Sequence, residues 1–219
     1  MNKIQRTSDG SHTLYSERFK EHYHSTHGAM QESMHIFIRN GLEAHAPKKS
    51  INIFEVGFGT GLNAFLTLLF STHEQQEIRY ESIEQYPVNQ ETVKKLNFAT
   101  NMSKREQEMF SSLHSAEWDK WVNLFPGFSF KKNQKDFTDF APEGMYDIIY
   151  FDAFSPEVQP ELWEQDLFNK LYEKSNSEAI LTTYSSKGII RRRLIEAGFN
   201  VEKIPGPPGK REILRAVKI

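Results

Sequence analysis

The sequence predicts one α/β domain built on a largely parallel β-sheet with helices on both faces. Three observations carry this reading. From residue 51 onward, short apolar runs alternate with helical patterns, as they do where helices cross over between parallel strands. The segments INIFEV (51–56) and YDIIYF (146–151) have the near-continuous apolar or aromatic content of strands buried on both faces. A chain of 219 residues with 38% hydrophobic content and 17 phenylalanines is also long enough for one core and too short for two comfortable ones.

Residues 1–50 do not follow the alternation and hold six of the eight histidines, so they read as an N-terminal extension that Pro47-Lys48-Lys49-Ser50 links to a main domain at 51–219. Strands are expected at 51–56, 78–83, 128–132, 146–151, 178–183, 199–204 and 211–218. The last, REILRAVK, alternates like an antiparallel strand at a sheet end, and GPPG at 206–209 supplies the turn before it. Helices are expected at 61–71, 87–100, 114–124, 160–174 and 186–197, the last stopped by Gly198. No internal repeat or low-complexity tract interrupts this order.

Composition narrows the chemistry. Without cysteine there are no disulfides, thiol nucleophiles or thiolate metal sites, so reactivity must come from oxygen, nitrogen or a bound cofactor. No run of about eighteen apolar residues is present and MNKIQRTSDG lacks the features of a signal peptide, so a cytoplasmic protein with no membrane span is expected. The overall charge of −2 conceals a gradient: from Lys187 to Ile219, nine Lys or Arg stand against three acids. A basic end on an acidic chain suits an anionic partner met over a limited surface, although a solvated helix face has the same composition.

The sharpest local signal is Glu55-Val56-Gly57-Phe58-Gly59-Thr60-Gly61-Leu62-Asn63, set between a buried strand and an amphipathic helix. Glycines at alternating positions permit a tight turn and close approach of a ligand, and the helix behind them offers free N–H groups. The spacing is neither the GxGxxG dinucleotide fingerprint nor a lysine-bearing phosphate loop, and a zwitterionic amino-acid tail fits it better than a pyrophosphate. Glu84, at the tip of the second strand with Gln85 beside it, is placed to accept hydrogen bonds from ribose hydroxyls. Asp136, after the third strand, is placed for an adenine amino group, with Phe137 beside the ring. The fourth strand ends at Asp152 and opens into Ala153-Phe154-Ser155-Pro156, across the topological switch point from the glycines. A metal at His22, His24 and His27 is not expected, because no further ligands are evident nearby.

These motifs carry a resemblance. GFGTGLN, IEQYP, FDAFSPEVQPELW, TYSSKGIIRRRLIEAGF with GPPGKREILRA, and the early FKEHYHSTHGAMQESMHIFIRNGL resemble the methyltransferase domain of the MnmC family, also found free-standing as MnmD. The resemblance spans nearly the whole chain and implies a seven-stranded class I S-adenosylmethionine-dependent methyltransferase (Rossmann-like) fold. It implies N-methylation of 5-aminomethyl-2-thiouridine at the wobble position of tRNA, with S-adenosyl-L-methionine as cofactor and a separate oxidoreductase as a possible supplier of the aminomethyl substrate. The family's flavin-dependent half is not expected here. Cofactor contacts then fall to Gly57, Phe58, Gly59, Thr60, Gly61, Asn63, Glu84, Gln85, Asp136, Phe137 and Asp152, with Tyr23, Ser25 and Glu32 of the extension folded over the pocket. Asp152, Phe154 and Pro156 are the catalytic set, Phe154 stacking on the target base.

The reaction is direct attack of an amine on the sulfonium methyl. An ordinary Asp with a pKa of about 3.9 is a weak base for freeing the amine lone pair, so Asp152 is expected mainly to orient it. Lys187, Arg191, Lys210 and Arg211 are expected on tRNA phosphates. Two other readings remain open at this point. One is an aminopropyltransferase acting on a small amine, which the basic tail disfavours. The other is a non-catalytic tRNA-binding protein, which the intact glycines, Glu84 and Asp152 disfavour.

Overall fold

The computed structural model describes residues 2–219. The chain opens with a three-stranded antiparallel meander, β1 (Lys3–Arg6), β2 (His12–Ser16) and β3 (Glu21–His22). The short helix α1 (Ala29–Ser33) then runs on into a wide π-helical stretch, Met34–Leu42. The crossover β4 (Ser50–Val56), α2 (Leu62–Glu74) and β5 (Glu77–Ile83) begins the main sheet. Helices α3 (Gln90–Val93) and α4 (Lys104–Ser115) lead to β6 (Val122–Phe125) and β7 (Phe128–Asn133). After β8 (Tyr146–Phe151) come a single 3-10 turn at Pro160–Trp163, α5 (Gln165–Glu173), β9 (Ser175–Thr183) and α6 (Gly188–Ala197). The hairpin β10 (Asn200–Pro205) and β11 (Glu212–Val217) ends the chain.

The main sheet has eight strands in the order β10-β11-β9-β8-β4-β5-β7-β6, parallel from β9 to β7 and antiparallel at both ends. All seven expected strands are present within three residues of their expected ends. The eighth, β6, occupies the far edge where a helix was expected at 114–124. That helix lies upstream as α4, because Ser103 and Glu106 form a capping box in which each side chain accepts from the other's backbone N–H. The helix expected at 87–100 is reduced to α3. Its second half is drawn into turns by Asn97, which accepts from the His12 N–H at 2.8 Å and donates to the Gly10 carbonyl at 2.9 Å, a tertiary demand that overrides local propensity.

Two apolar layers sandwich the sheet. On one face Phe54, Phe151, Trp163, Phe168 and Leu194 pack beneath α5 and α6. On the other, Leu14, Ile36, Phe37 and Leu42 join Ile53, Phe65, Tyr80 and Tyr150 in a single cluster, so the N-terminal 50 residues supply part of the core as well as covering the sheet ends. Among the described residues no helix is long and apolar enough to cross a membrane.

Candidate active site

The chain crosses from β4 to β5 on one side and returns to β8 on the other, and this reversal opens a crevice beyond the strand ends. There the Asp152 N–H donates to the Val56 carbonyl at 2.9 Å and the Gly57 N–H to the Ile83 carbonyl at 3.0 Å, tying three strand ends together. A cavity of about 300 Å³ fills the crevice. It is lined by every residue expected at the cofactor site except Gly61, and by Phe154 of the expected catalytic set.

Gly57, Gly59 and Gly61 all have positive φ, at 94°, 49° and 72°. At Gly59 the reason is direct: its missing Cβ would stand 3.1 Å from the Tyr23 ring, so the extension closes against bare backbone. The Gly59 N–H donates to Glu84 Oε2 at 2.9 Å and the Tyr86 N–H to Oε1 at 2.8 Å. These bonds aim the carboxylate at the loop while each oxygen keeps a free lone pair. Burial pushes the Glu84 pKa up, against those donors. Replacing Glu84 by Ala is expected to weaken S-adenosylmethionine by roughly 1.5–3 kcal/mol, the range for a lost charged hydrogen-bond partner. Calorimetry checks this, and wild-type affinity would mean that the ribose is held elsewhere.

The floor beneath the loop is acidic. Asn63 Nδ2 donates to Asp152 Oδ2 at 2.8 Å and to Glu55 Oε1 at 3.1 Å, and Ser82 Oγ donates to Glu55 Oε2 at 2.7 Å. Asn63 Oδ1 is buried without a partner, an acceptor still waiting for a donor. Burial, helped by the nearby Glu32 and Glu55 carboxyls and opposed by Asn63 and Lys210, holds the Asp152 pKa well above the usual range. Burial likewise lifts Glu55 to about 7. Asp152 is thus a far better proton acceptor than the ordinary aspartate the sequence suggests.

The N-terminal segment walls the cavity. Glu32 Oε2 accepts from the Ser25 N–H at 2.7 Å, and burial raises its pKa despite Lys210. His24 Nε2 lies 2.6 Å from Thr60 Oγ1, with burial lowering its pKa to about 4, so the ring is neutral. His22 pairs with Gln5 and His27 packs on Gly209, so the three histidines face different partners. Asp136 accepts from Gln85 at 2.7 Å and from Thr138, at the rim. Phe137 is buried against Phe54 with only part of its surface toward the cavity.

One expected phosphate contact falls elsewhere. Lys210 points into the cavity, 3.6 Å from Glu32 Oε1 and 4.8 Å from the Tyr184 ring centre, because the turn after β10 folds back over the extension. Lys187 is exposed and paired with Glu157, while Arg191 and Arg211 are exposed with no acidic partner among the described residues. Pro156 fixes the loop beyond Phe154 but does not line the cavity. Sequence reasoning missed Glu21, which accepts from the Ser155 N–H and hydroxyl at 3.1 and 3.0 Å, and Tyr184, whose hydroxyl donates to the Ala153 carbonyl at 2.9 Å. Both stood inside recognised motifs, but nothing in their spacing showed that they brace the Asp152 loop.

A doubly wound sheet with a glycine turn, a strand-end carboxylate and an acidic floor at its switch point is shaped to hold a nucleoside cofactor. Residues 127–219 match a family described as S-adenosyl-L-methionine-dependent methyltransferase. It is 31% identical over 224 residues to the tRNA 5-methylaminomethyl-2-thiouridine biosynthesis bifunctional protein MnmC of Cupriavidus metallidurans, covering 94% of this chain and 32% of the relative. The Burkholderia multivorans protein of the same name is 29% identical, covering 92% of this chain and 33% of its own length. The chain therefore spans about a third of the curated relatives it matches. The crystal structure of MNMC2 from Aquifex aeolicus superposes with a TM-score of 0.80 at 27% identity, covering 99% of this chain and 70% of that one. Spermidine synthase from Thermotoga maritima shares the fold, with a TM-score of 0.60 at 10% identity.

Proposed function

We propose that the chain uses S-adenosyl-L-methionine to methylate the primary amine of 5-aminomethyl-2-thiouridine at the tRNA wobble position, giving 5-methylaminomethyl-2-thiouridine. The observation that carries this reading is the acidic floor beside the glycine turn: Asp152, Asn63 and Glu32 offer acceptors for an amine where the cofactor cradle ends. The relatives named for biosynthesis of the same nucleoside supply the substrate.

The residues fit the cofactor. The free lone pairs of Glu84 match a ribose and the orphan Asn63 Oδ1 an ammonium. Bound there, the cofactor supplies an electrophilic methyl on sulfur. The chain does the rest. Asp152, with its raised proton affinity, takes a proton from the incoming ammonium at Oδ1, the oxygen that Asn63 leaves free, so the nitrogen lone pair is available for attack. Asn63 holds the Asp152 carboxyl in place, and Glu21 and Tyr184 fix the loop that carries it. Tyr23 and His24 shut the glycine side against water. The setting is the cytoplasm, and an oxidoreductase step supplies the aminomethyl substrate.

Incubating the protein and cofactor with tRNA that carries the aminomethyl nucleoside should convert it, read by nucleoside mass spectrometry. A protein that binds the cofactor but leaves that tRNA unmodified would overturn the reading. We assign the exposed Arg191 and Arg211 to tRNA phosphates. Neutralising both should flatten the slope of log K against log salt by roughly 0.7 to 0.9 per contact, with cofactor affinity unmoved. An unchanged slope would assign tRNA to another surface.

A further inference from the structure

The hairpin between β2 and β3 leans over the cavity mouth and lays Phe19 on Phe154. Their ring centres are 4.6 Å apart and tilted by 33°, so the rings are in contact and no base fits between them. Tyr23 meets Phe154 edge-on at 4.9 Å. Phe19 and Tyr23 thus both lie against Phe154, and a planar acceptor can stack on the face that Phe19 covers only if Phe19 leaves. The two covers are held very differently. Tyr23 is pinned by its N–H to the Leu14 carbonyl at 2.8 Å, by Asn2 on its hydroxyl, and by packing on Gly59.

Phe19 belongs to a four-residue tip whose own bonds are few. Its N–H meets Ser16 Oγ at 3.2 Å, the Lys20 N–H donates to the Ser16 carbonyl at 2.8 Å with Lys20 at a positive φ of 55°, both bonds staying within the turn, and the ion pairs of Glu17 with Lys3 and Lys20 are exposed pairs of little worth. On the outer side Phe19 touches Tyr86 at 5.7 Å, and the Arg18 guanidinium lies 4.1 Å over the same Tyr86 ring. The mouth is thus an aromatic stack with a cation beside it, the pairing that single-stranded nucleic acid uses for unstacked bases.

We propose that the face of Phe154 now covered by Phe19 is the stacking site for the acceptor's pyrimidine ring, and that Phe19 is a removable stand-in for that ring. This rests on the function proposed above. Entry of the base displaces the hairpin tip, whose weak anchors yield before those of Tyr23. The Glu21 contacts to Ser155 at the base of the hairpin keep the Asp152 loop in place meanwhile.

The test measures binding, by fluorescence anisotropy, of an anticodon stem-loop RNA carrying 5-aminomethyl-2-thiouridine, with S-adenosylhomocysteine calorimetry alongside. Phe154→Ala should weaken the RNA about tenfold, the scale of one base–aromatic stack. Phe19→Ala should tighten it about threefold by removing the competitor, and neither should shift S-adenosylhomocysteine. Because the chain has no cysteine, Glu17→Cys allows a single nitroxide on the hairpin tip. Its mobility should rise with the RNA and not with S-adenosylhomocysteine. Unchanged RNA affinity in Phe154→Ala, weaker binding in Phe19→Ala, or an immobile label would each overturn the stand-in. A wild type that binds this RNA but does not methylate it would overturn the reaction instead.

Discussion

Asp152→Asn is expected to lower turnover by two to four orders of magnitude while leaving S-adenosylmethionine affinity within about twofold. The size follows from removing a positioned proton acceptor, which contributes about 10²–10⁴ in rate. The replacement keeps the shape and the burial, so the loss isolates the charge. Wild-type activity should rise with pH through the raised Asp152 pKa, because the carboxyl must be ionised to accept the amine proton. In Asp152→Asn the remaining activity should follow only the ionisation of the acceptor amine. Stopped-flow turnover across pH, with calorimetry for the cofactor, reads both. Matched losses in rate and cofactor affinity would instead assign Asp152 to the donor.

Gly57→Ala should reproduce much of that loss without touching any acid. The added Cβ would stand 2.5 Å from the carbonyl oxygen of Asp152 and 3.1 Å from its carbonyl carbon, both backbone atoms that no rotamer can move. Gly57 also has φ 94°, a conformation that an L side chain adopts only at a cost of roughly 1–2 kcal/mol. Overpacking adds about 1–3 kcal/mol, so thermal melts should fall together with turnover and cofactor affinity. A Gly57→Ala protein with wild-type melting, rate and affinity would show that the strand ends tolerate separation.

What was legible in the sequence follows from what each signal encodes. Strands buried on both faces announce themselves in composition, which is why INIFEV and YDIIYF were placed to within a residue. The glycine turn, Glu84 and Asp152 were readable because the switch point of a doubly wound sheet fixes where strand ends meet. The edge strand β6 was not, since VNLF is too short and half-exposed to carry a pattern. Lys210 was read by its charge as surface. Its entry into the cavity depends on His35 donating to the Pro205 carbonyl at 2.8 Å and on His27 against Gly209, contacts between chain segments about 170 residues apart. The raised proton affinity of Asp152 is likewise a property of burial among Glu32 and Glu55, and no spacing shows it.

Glu55 lies in β4, fully buried below the reacting groups, and its ionisation couples the site to the integrity of the whole domain. In the unfolded chain it would titrate near 4.5, and in the folded protein near 7, so between those values folding takes up a proton. Stability therefore falls as pH rises through this window and stays lower above it, by about 3 kcal/mol for a shift of this size. Alkaline conditions that free the acceptor amine thus draw on the stability of the scaffold. Glu55→Gln, which cannot ionise, should flatten the profile and be the more stable protein at pH 8, measured by urea denaturation at pH 5 and 8. Parallel pH profiles for the two proteins would show that β4 carries no such load, whereas divergence would mark the domain as one that trades alkaline robustness for a proton held beneath its active site.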